Sequence, residues 1–549
     1  MNTEQPGTNT VNINEAAQNI IRLTGQSGAF GSGLLFNQHV IHNDADPMEE
    51  ARSWIKKSLR ERVGRQDSLP ALALVFGLGL GYHLKALREI YPDIRLLVFE
   101  PTHELKIIFE RHSVMDTADG EAPLIFDDWF EYDDLVNREV VYGRETGVLV
   151  VAPDGYQNLC PEAFEAFNAC ARQVVMRRAV IEHTRENTDV AFLHNLAKNS
   201  GRLMELPDLM VLKGRLPARP AFAVGAGPSL DESLPLLRDI NGRGMIFAAS
   251  SALKPLLAGG VRPDVVVVLE SSDTSEYLQL SQAEKEFLGP NCLLALASGC
   301  HPAHYKADGF LKGIFHLTGG EAQIFSQGLF LPQGGNAGSA AFALAFIWGL
   351  GPLVLVAQDQ AYTGGRIHAA GTPGGVTEND PGDITVNGIG RTAARTHSGL
   401  LASLSWFAEA AKTISQQDNP PLLYNASAAG ASIPGFSEVP LSAVLASLPP
   451  AAAPLNLAGA IPKLPMPDKK EVKKDIKQLA GVVTTLRRLA AMDYRKAFEE
   501  TKQVGKVSKF LGQILAEAAV ANSRNELIAA LDKADGLLSL MMSAMTPRH

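Results

Sequence analysis

Six short apolar runs, at residues 221–224, 245–249, 265–269, 293–297, 314–317 and 353–357, alternate with helical or turn-rich segments. Runs this short and this uniformly apolar fit strands buried on both faces. Their regular separation fits a doubly wound, mostly parallel sheet covered by helices. Ligands of such sheets sit beyond the carboxyl ends of the strands, so the residues that follow each run are the first candidates for function.

A second, earlier unit has the same plan. Residues 72–76 are apolar and run into Gly77-Leu78-Gly79-Leu80-Gly81, a helical pattern follows, and a further apolar run at 94–99 ends at Glu100. This reads as strand, glycine turn, helix, strand, the core of a Rossmann-like sheet, and an acidic residue roughly 20 positions past the glycines suits ribose hydroxyls. The glycines could equally serve close packing alone, and a methyltransferase using S-adenosylmethionine opens in much the same way.

The expected class is therefore α/β, with two Rossmann-like units of mostly parallel sheets and a C-terminal helical bundle. The boundaries follow composition. They are an N-terminal Rossmann-like domain at 1–160, a helical connector at 161–214 and the central sheet domain at 215–440. A Pro- and Ala-rich linker at 441–468 and a helical domain at 469–549 complete the chain. A length of 549 residues exceeds what one core serves.

Composition removes several functions. A net charge of −9 offers no basic field for nucleic acid. Cys160, Cys170, Cys292 and Cys300 form no CxxC pair, so no zinc site or disulfide framework is suggested, and no metal ligands are assigned. The polar first residues lack the pattern of a secretory signal, which places the expected location in the cytoplasm. Residues 340–357 are apolar enough to raise a membrane helix, but Gly349, Gly351 and Pro352 divide them into a short helix and a strand. Oligomeric state leaves no mark in the sequence.

The strongest local signal is Val224-Gly225-Ala226-Gly227-Pro228-Ser229-Leu230-Asp231-Glu232, which passes from a strand through two glycines into a helix. Ser229 and Glu232 have the spacing of a capping box. Free loop amides and the positive end of a helix would favour a phosphate; a capped helix that binds no anion is the alternative.

Here a resemblance becomes specific. The stretch 225–231, with Ala248-Ala249-Ser250-Ser251-Ala252 and Val261-Arg262-Pro263-Asp264, resembles the central domain of the motility associated factor family. That domain is also called MptE-like, after an archaeal pterin pyrophosphokinase, and is similar to bacterial sialyltransferases. Further matches are Gly334-Gly335-Asn336, then Gln358-Asp359-Gln360-Ala361-Tyr362 with Gly365 and His368-Ala369, and Asn425-Ala426-Ser427 running to Gly430-Ala431-Ser432-Ile433. The resemblance implies glycosyl transfer from a CMP-activated nonulosonic acid, pseudaminic or legionaminic in kind, to serine or threonine of flagellin. Two departures stand out. Ser427-Ala428-Ala429-Gly430 replaces the usual Thr-Glu-Gly-Gly, and Glu270 stands where an aspartate is common.

Such a reaction needs a positioned donor, stabilised charge and a base for the acceptor hydroxyl. Gly225, Gly227 and Ser229 are the expected phosphate contacts, with Ser250, Ser251, Glu270, Asn336, Gln358 and Asn425 for other polar groups of the donor. Asp359 and His368 are the expected orienting carboxylate and general base, or either alone, and His301 and His304 compete as base. Arg391 and Arg395, four apart, could share a helix face and clamp an anion. The lysines at 469, 470, 473, 474 and 477 form a solvated helix face or a dock for flagellin. No cofactor is firmly implied, and a divalent metal stays open. The competing readings are a pterin pyrophosphokinase using ATP and magnesium, and a non-catalytic flagellin-binding protein.

Overall fold

In the computed structural model, the described residues are 9–10, 21–24, 33–60, 72–115, 122–136, 148–373 and 384–546, apart from isolated positions and a few short internal stretches within these ranges. They fall into two compact units, Met1–Thr184 and Arg185–His549.

The first unit begins with a four-stranded antiparallel sheet, β1 (Asn9–Thr10), β2 (Ile21–Thr24), β3 (Gly33–Phe36) and β4 (His39–His42). A parallel sheet follows, in the order β7 (Leu124–Phe126), β6 (Arg95–Phe99), β5 (Leu72–Phe76), β8 (Val148–Val151). All five residues of β5 are buried, as a central parallel strand requires. Phe76 anchors the aromatic core, with Tyr156, Phe164 and Phe167 at ring-centroid distances of 5.5, 5.4 and 5.1 Å.

The second unit is built on an eight-stranded sheet. Its strands are β9 (Ala221–Val224), β10 (Met245–Ala249), β11 (Val265–Val268), β12 (Leu293–Ala297), β13 (Leu311–Phe315), β14 (Leu353–Val356), β17 (Leu423–Asn425) and β18 (Ser437–Glu438). They lie in the order β13-β12-β11-β10-β9-β14-β17-β18, and neighbouring strands run parallel throughout. A hairpin of β15 (Ile384–Gly388) and β16 (Thr392–Thr396) stands apart. Helix Ala337–Ile347 is apolar all round and buried over most of its length, because it packs against β9, β10 and β11.

The fold is thus α/β with mostly parallel sheets and a helical C-terminal region. Helices Lys469–Met492, Tyr494–Val507, Lys509–Ile514 and Arg524–Ala544 form that region, with the first and last packed on each other. Two local differences from the sequence reading have simple causes. The fifth strand is Leu311–Phe315 rather than 314–317, because pairing with β12 (Leu293 opposite Leu311) extends it through Lys312. The Pro-rich stretch after 440 opens with helix Leu441–Ser447, and Leu441, Val444, Leu445 and Leu448 join the core beside β9 and β14. Helical spacing of those four residues buries them before the prolines take over. Residues 340–357 divide as expected into a helix and β14, and among the described residues no helix is long and apolar enough to cross a membrane.

Candidate active site

Strand order decides where a ligand fits. From β9 the chain winds outward on one side to β13, then returns to the other side of β9 as β14. The edge beyond the carboxyl ends of β9 and β14 is the topological reversal point of the sheet, the usual ligand position in such folds. Register puts Val224 opposite Val356, so the Gly225 turn faces the segment from Ala357 to Gln360.

These two segments are locked together. Gly225 N–H donates to Val356 O at 2.9 Å and Gly227 N–H to Ala357 O at 3.0 Å. Ser229 N–H donates to Asp359 Oδ2 at 2.9 Å, and the Ser229 hydroxyl donates to Oδ1 of the same carboxylate. Gly227 is glycine for a steric reason, since a Cβ there would lie 2.6 Å from Asp359 Cγ. The expected free amides are therefore already engaged, and an internal carboxylate occupies the start of helix Leu230–Leu237. Nor is there a capping box: the Ser229 hydroxyl turns to Asp359 instead of accepting from the helix.

Asp359 is only 2 % exposed. Burial raises its pKa from 3.8 to about 6, against the opposing effect of the Ser229 hydrogen bonds. Ala357 and Gln360, on either side, both adopt left-handed backbone with φ of 53° and 50°. Strain of that kind persists only where surrounding contacts impose it. The third sequence match supplies those contacts. Ala431 N–H donates to Asp359 O at 2.7 Å, and Gln358 N–H to the Ser427 hydroxyl at 3.1 Å. Gly430, at φ +106°, lies so close under Asp359 that a Cβ would meet its carbonyl oxygen at 2.3 Å. Distant matches in the sequence thus buttress one carboxylate.

Other expected residues take quieter places. Gln358 is buried between Gly225 and Gly338, its Nε2 reaching Ala223 O at 3.4 Å. Asn336 caps helix Ala337–Ile347, accepting from Ser339 N–H at 2.8 Å and donating to Ser403 Oγ at 2.6 Å. Asn425 accepts from Ser427 N–H at 3.2 Å. Ser250 and Glu270 do meet, at 3.0 Å, at the ends of β10 and β11, and desolvation raises the Glu270 pKa. Ser251 lies in the same turn, partly buried. His368 is exposed, and desolvation lowers its pKa against a hydrogen bond with the Ala226 backbone. Among the described residues no hydrogen bond joins it to Asp359. His301 faces Asp273 at 3.9 Å, and His304 is buried beside the Thr274 hydroxyl at 3.0 Å, its pKa pulled down to about 4 by burial.

Arg391 and Arg395 do not share a helix. Arg391 lies on the turn between β15 and β16, and Arg395 lies within β16 with its guanidinium on Thr385 Oγ1 at 3.0 Å. A turn residue in left-handed backbone and a strand residue, not one helix face, make up the pair. The cation that does reach the helix start is Arg366, bonded to Asp231 at 2.9 Å. Nothing local in the sequence marks this contact across 135 positions. Among the described residues no group of three or more His, Cys, Asp or Glu is gathered around a metal position.

The glycine turn of the first unit is also self-occupied. Glu100 is fully buried and accepts from Leu78 N–H at 2.8 Å, Thr102 N–H at 2.9 Å and the Tyr156 hydroxyl at 2.7 Å. The Tyr156 oxygen accepts from Gly79 N–H at 2.9 Å, and His42 Nε2 accepts from Leu80 N–H at 3.0 Å. The amides a nucleotide would use are filled from within. Burial lifts Glu100 to a pKa of about 7.

The chain matches no curated protein. The solved Maf glycosyltransferase from Magnetospirillum magneticum AMB-1 is 13% identical and covers 99% of this chain and 90% of its own, with a TM-score of 0.49. Residues 191–365 match the model of the 6-hydroxymethylpterin diphosphokinase MptE-like family, and this span, which holds the glycine turn, β9 to β14 and Asp359, is what the chain shares with that family.

Proposed function

We propose that this protein is a glycosyltransferase that moves a nonulosonic acid from a CMP-activated donor to a serine or threonine hydroxyl of flagellin, with its centre beyond the carboxyl ends of β9 and β14. The motif resemblance supplies the donor and acceptor. The observation that carries the chemistry is Asp359, a buried carboxylate at the sheet's reversal point with a pKa of about 6. At neutral pH it is ionised yet holds a proton more strongly than an exposed aspartate, which suits a general base. The acceptor oxygen forms a bond to the anomeric carbon, the bond from that carbon to the CMP phosphate breaks, and the hydroxyl proton passes to Asp359. The Ser229 amide and hydroxyl keep the carboxylate in place. All four cysteines are free thiols, which suits a reducing cytoplasm.

The matched family's description favours a second reading, transfer of diphosphate from ATP to a hydroxymethylpterin. Calorimetry on the full chain separates the two. Binding of CMP without binding of ATP and magnesium, together with flagellin modification that Asp359→Asn slows at least about 100-fold, is the expected result. Binding of ATP and magnesium with release of AMP on a hydroxymethylpterin would overturn the proposal.

A further inference from the structure

An anion held at the turn after β9 needs positive charge, and the backbone there does not supply it. The Gly225 and Gly227 amides bond to the carbonyls of Val356 and Ala357, and the Ser229 amide bonds to Asp359. The ionised Asp359 carboxylate would also repel a second anion.

Arg366 is brought to this turn by a strap of chain that follows β14. Thr363 and Arg366 exchange backbone hydrogen bonds at 3.0 and 3.1 Å, and the Thr363 hydroxyl lies 3.5 Å from Asp359 Oδ2. Farther along, Ala369 N–H donates to Ala226 O at 2.8 Å and Ala370 N–H to Asp231 Oδ1 at 3.0 Å. Asp231, in the first turn of helix Leu230–Leu237, takes Arg366 Nη1 on its other oxygen at 2.9 Å. The two side chains remain 36% and 30% exposed, so solvent screens the ion pair and it is weakly held. A guanidinium is also better matched to phosphate, which it receives through two parallel N–H groups.

We propose that Arg366 is the clamp for the phosphate of the nucleotide donor, and that Asp231 is its counter-ion while the site is empty. On binding, the guanidinium exchanges the Asp231 carboxylate for the phosphate. This assignment rests on the nucleotide-sugar reading above and adds a residue to it that determines donor affinity.

Full-length wild type, Arg366→Ala, Arg366→Lys and Asp231→Asn are titrated with CMP by calorimetry. Arg366→Ala is expected to weaken CMP at least about tenfold, and Arg366→Lys to fall between, because it keeps charge without the fork. Asp231→Asn is expected to tighten CMP about threefold or more, since it releases the clamp from its resting partner. A strap held by the pair for structure alone predicts the opposite sign, with both variants losing affinity equally. That result, or Arg366→Ala binding CMP like wild type, overturns the assignment and leaves the donor reading intact. Wild type that ignores CMP overturns the donor reading, and the assignment with it.

Discussion

Replacing Asp359 by asparagine keeps the size of the side chain and an oxygen for the Ser229 amide while removing a buried charge. The wild-type carboxyl has its pKa raised from 3.8 to about 6, so the folded state binds its proton more tightly than the unfolded chain does. Stability from this group is fully present below about pH 4 and is lost as pH rises through 6. The interval corresponds to about 3 kcal/mol, an order-of-magnitude figure. Asparagine has no such dependence. The stability difference between Asp359→Asn and wild type should therefore grow by most of that, about 2 kcal/mol, in favour of the variant from pH 4 to pH 7. Other titrating groups, Glu270 and His304 among them, are common to both proteins and cancel. Urea unfolding followed by tryptophan fluorescence reads this in a background with Trp54→Phe and Trp129→Phe, which leaves the buried Trp348 and the half-buried Trp406 of the second unit as reporters. A difference that stays flat across this range would refute the reasoning about Asp359, and with it the case for a base poised near neutrality.

Two further substitutions test how the glycine turns are filled. Gly227→Ala places a Cβ 2.6 Å from Asp359 Cγ and 2.7 Å from the Ala357 carbonyl oxygen; it should cost about 1–3 kcal/mol by overpacking and shrink the pH dependence that Asp359 gives the wild type, and a variant as stable as wild type in urea contradicts this. Tyr156→Phe removes the phenol that joins Gly79 N–H to Glu100, leaving a buried amide without its acceptor at a cost of about 1–3 kcal/mol. Hydrogen exchange over residues 77–81 should accelerate in that variant, and unchanged protection would show that the turn is held by something else.

The strands of the second unit were legible because burial of a parallel sheet is written in consecutive residues: β9, β10, β11, β12 and β14 coincide with apolar runs to within a residue. The shorter β17, which begins with half-buried Leu423 and Tyr424, and the exposed β18 carry no such run. Asp359 was singled out because it ends an apolar run, and a polar residue in that position of an α/β sheet lies at the ligand edge. Its partners were not legible. Ser229 and Asp359 are 130 positions apart, and the sequence around Ser229 fits equally a capped helix or a phosphate loop. Only the pairing of β9 with β14 decides that the loop is filled by a carboxylate of the same chain. Arg391 and Arg395 show the complementary case, since spacing four apart suggests one helix face and the chain there is a turn and a strand. The amino-acid pattern by itself determined which segments are buried and which polar residues end them, because burial is a local property of periodicity. Which amides stay free, which carboxylate is desolvated and which arginine meets the helix were decided by the tertiary structure, because each depends on groups that only strand order brings within hydrogen-bond distance.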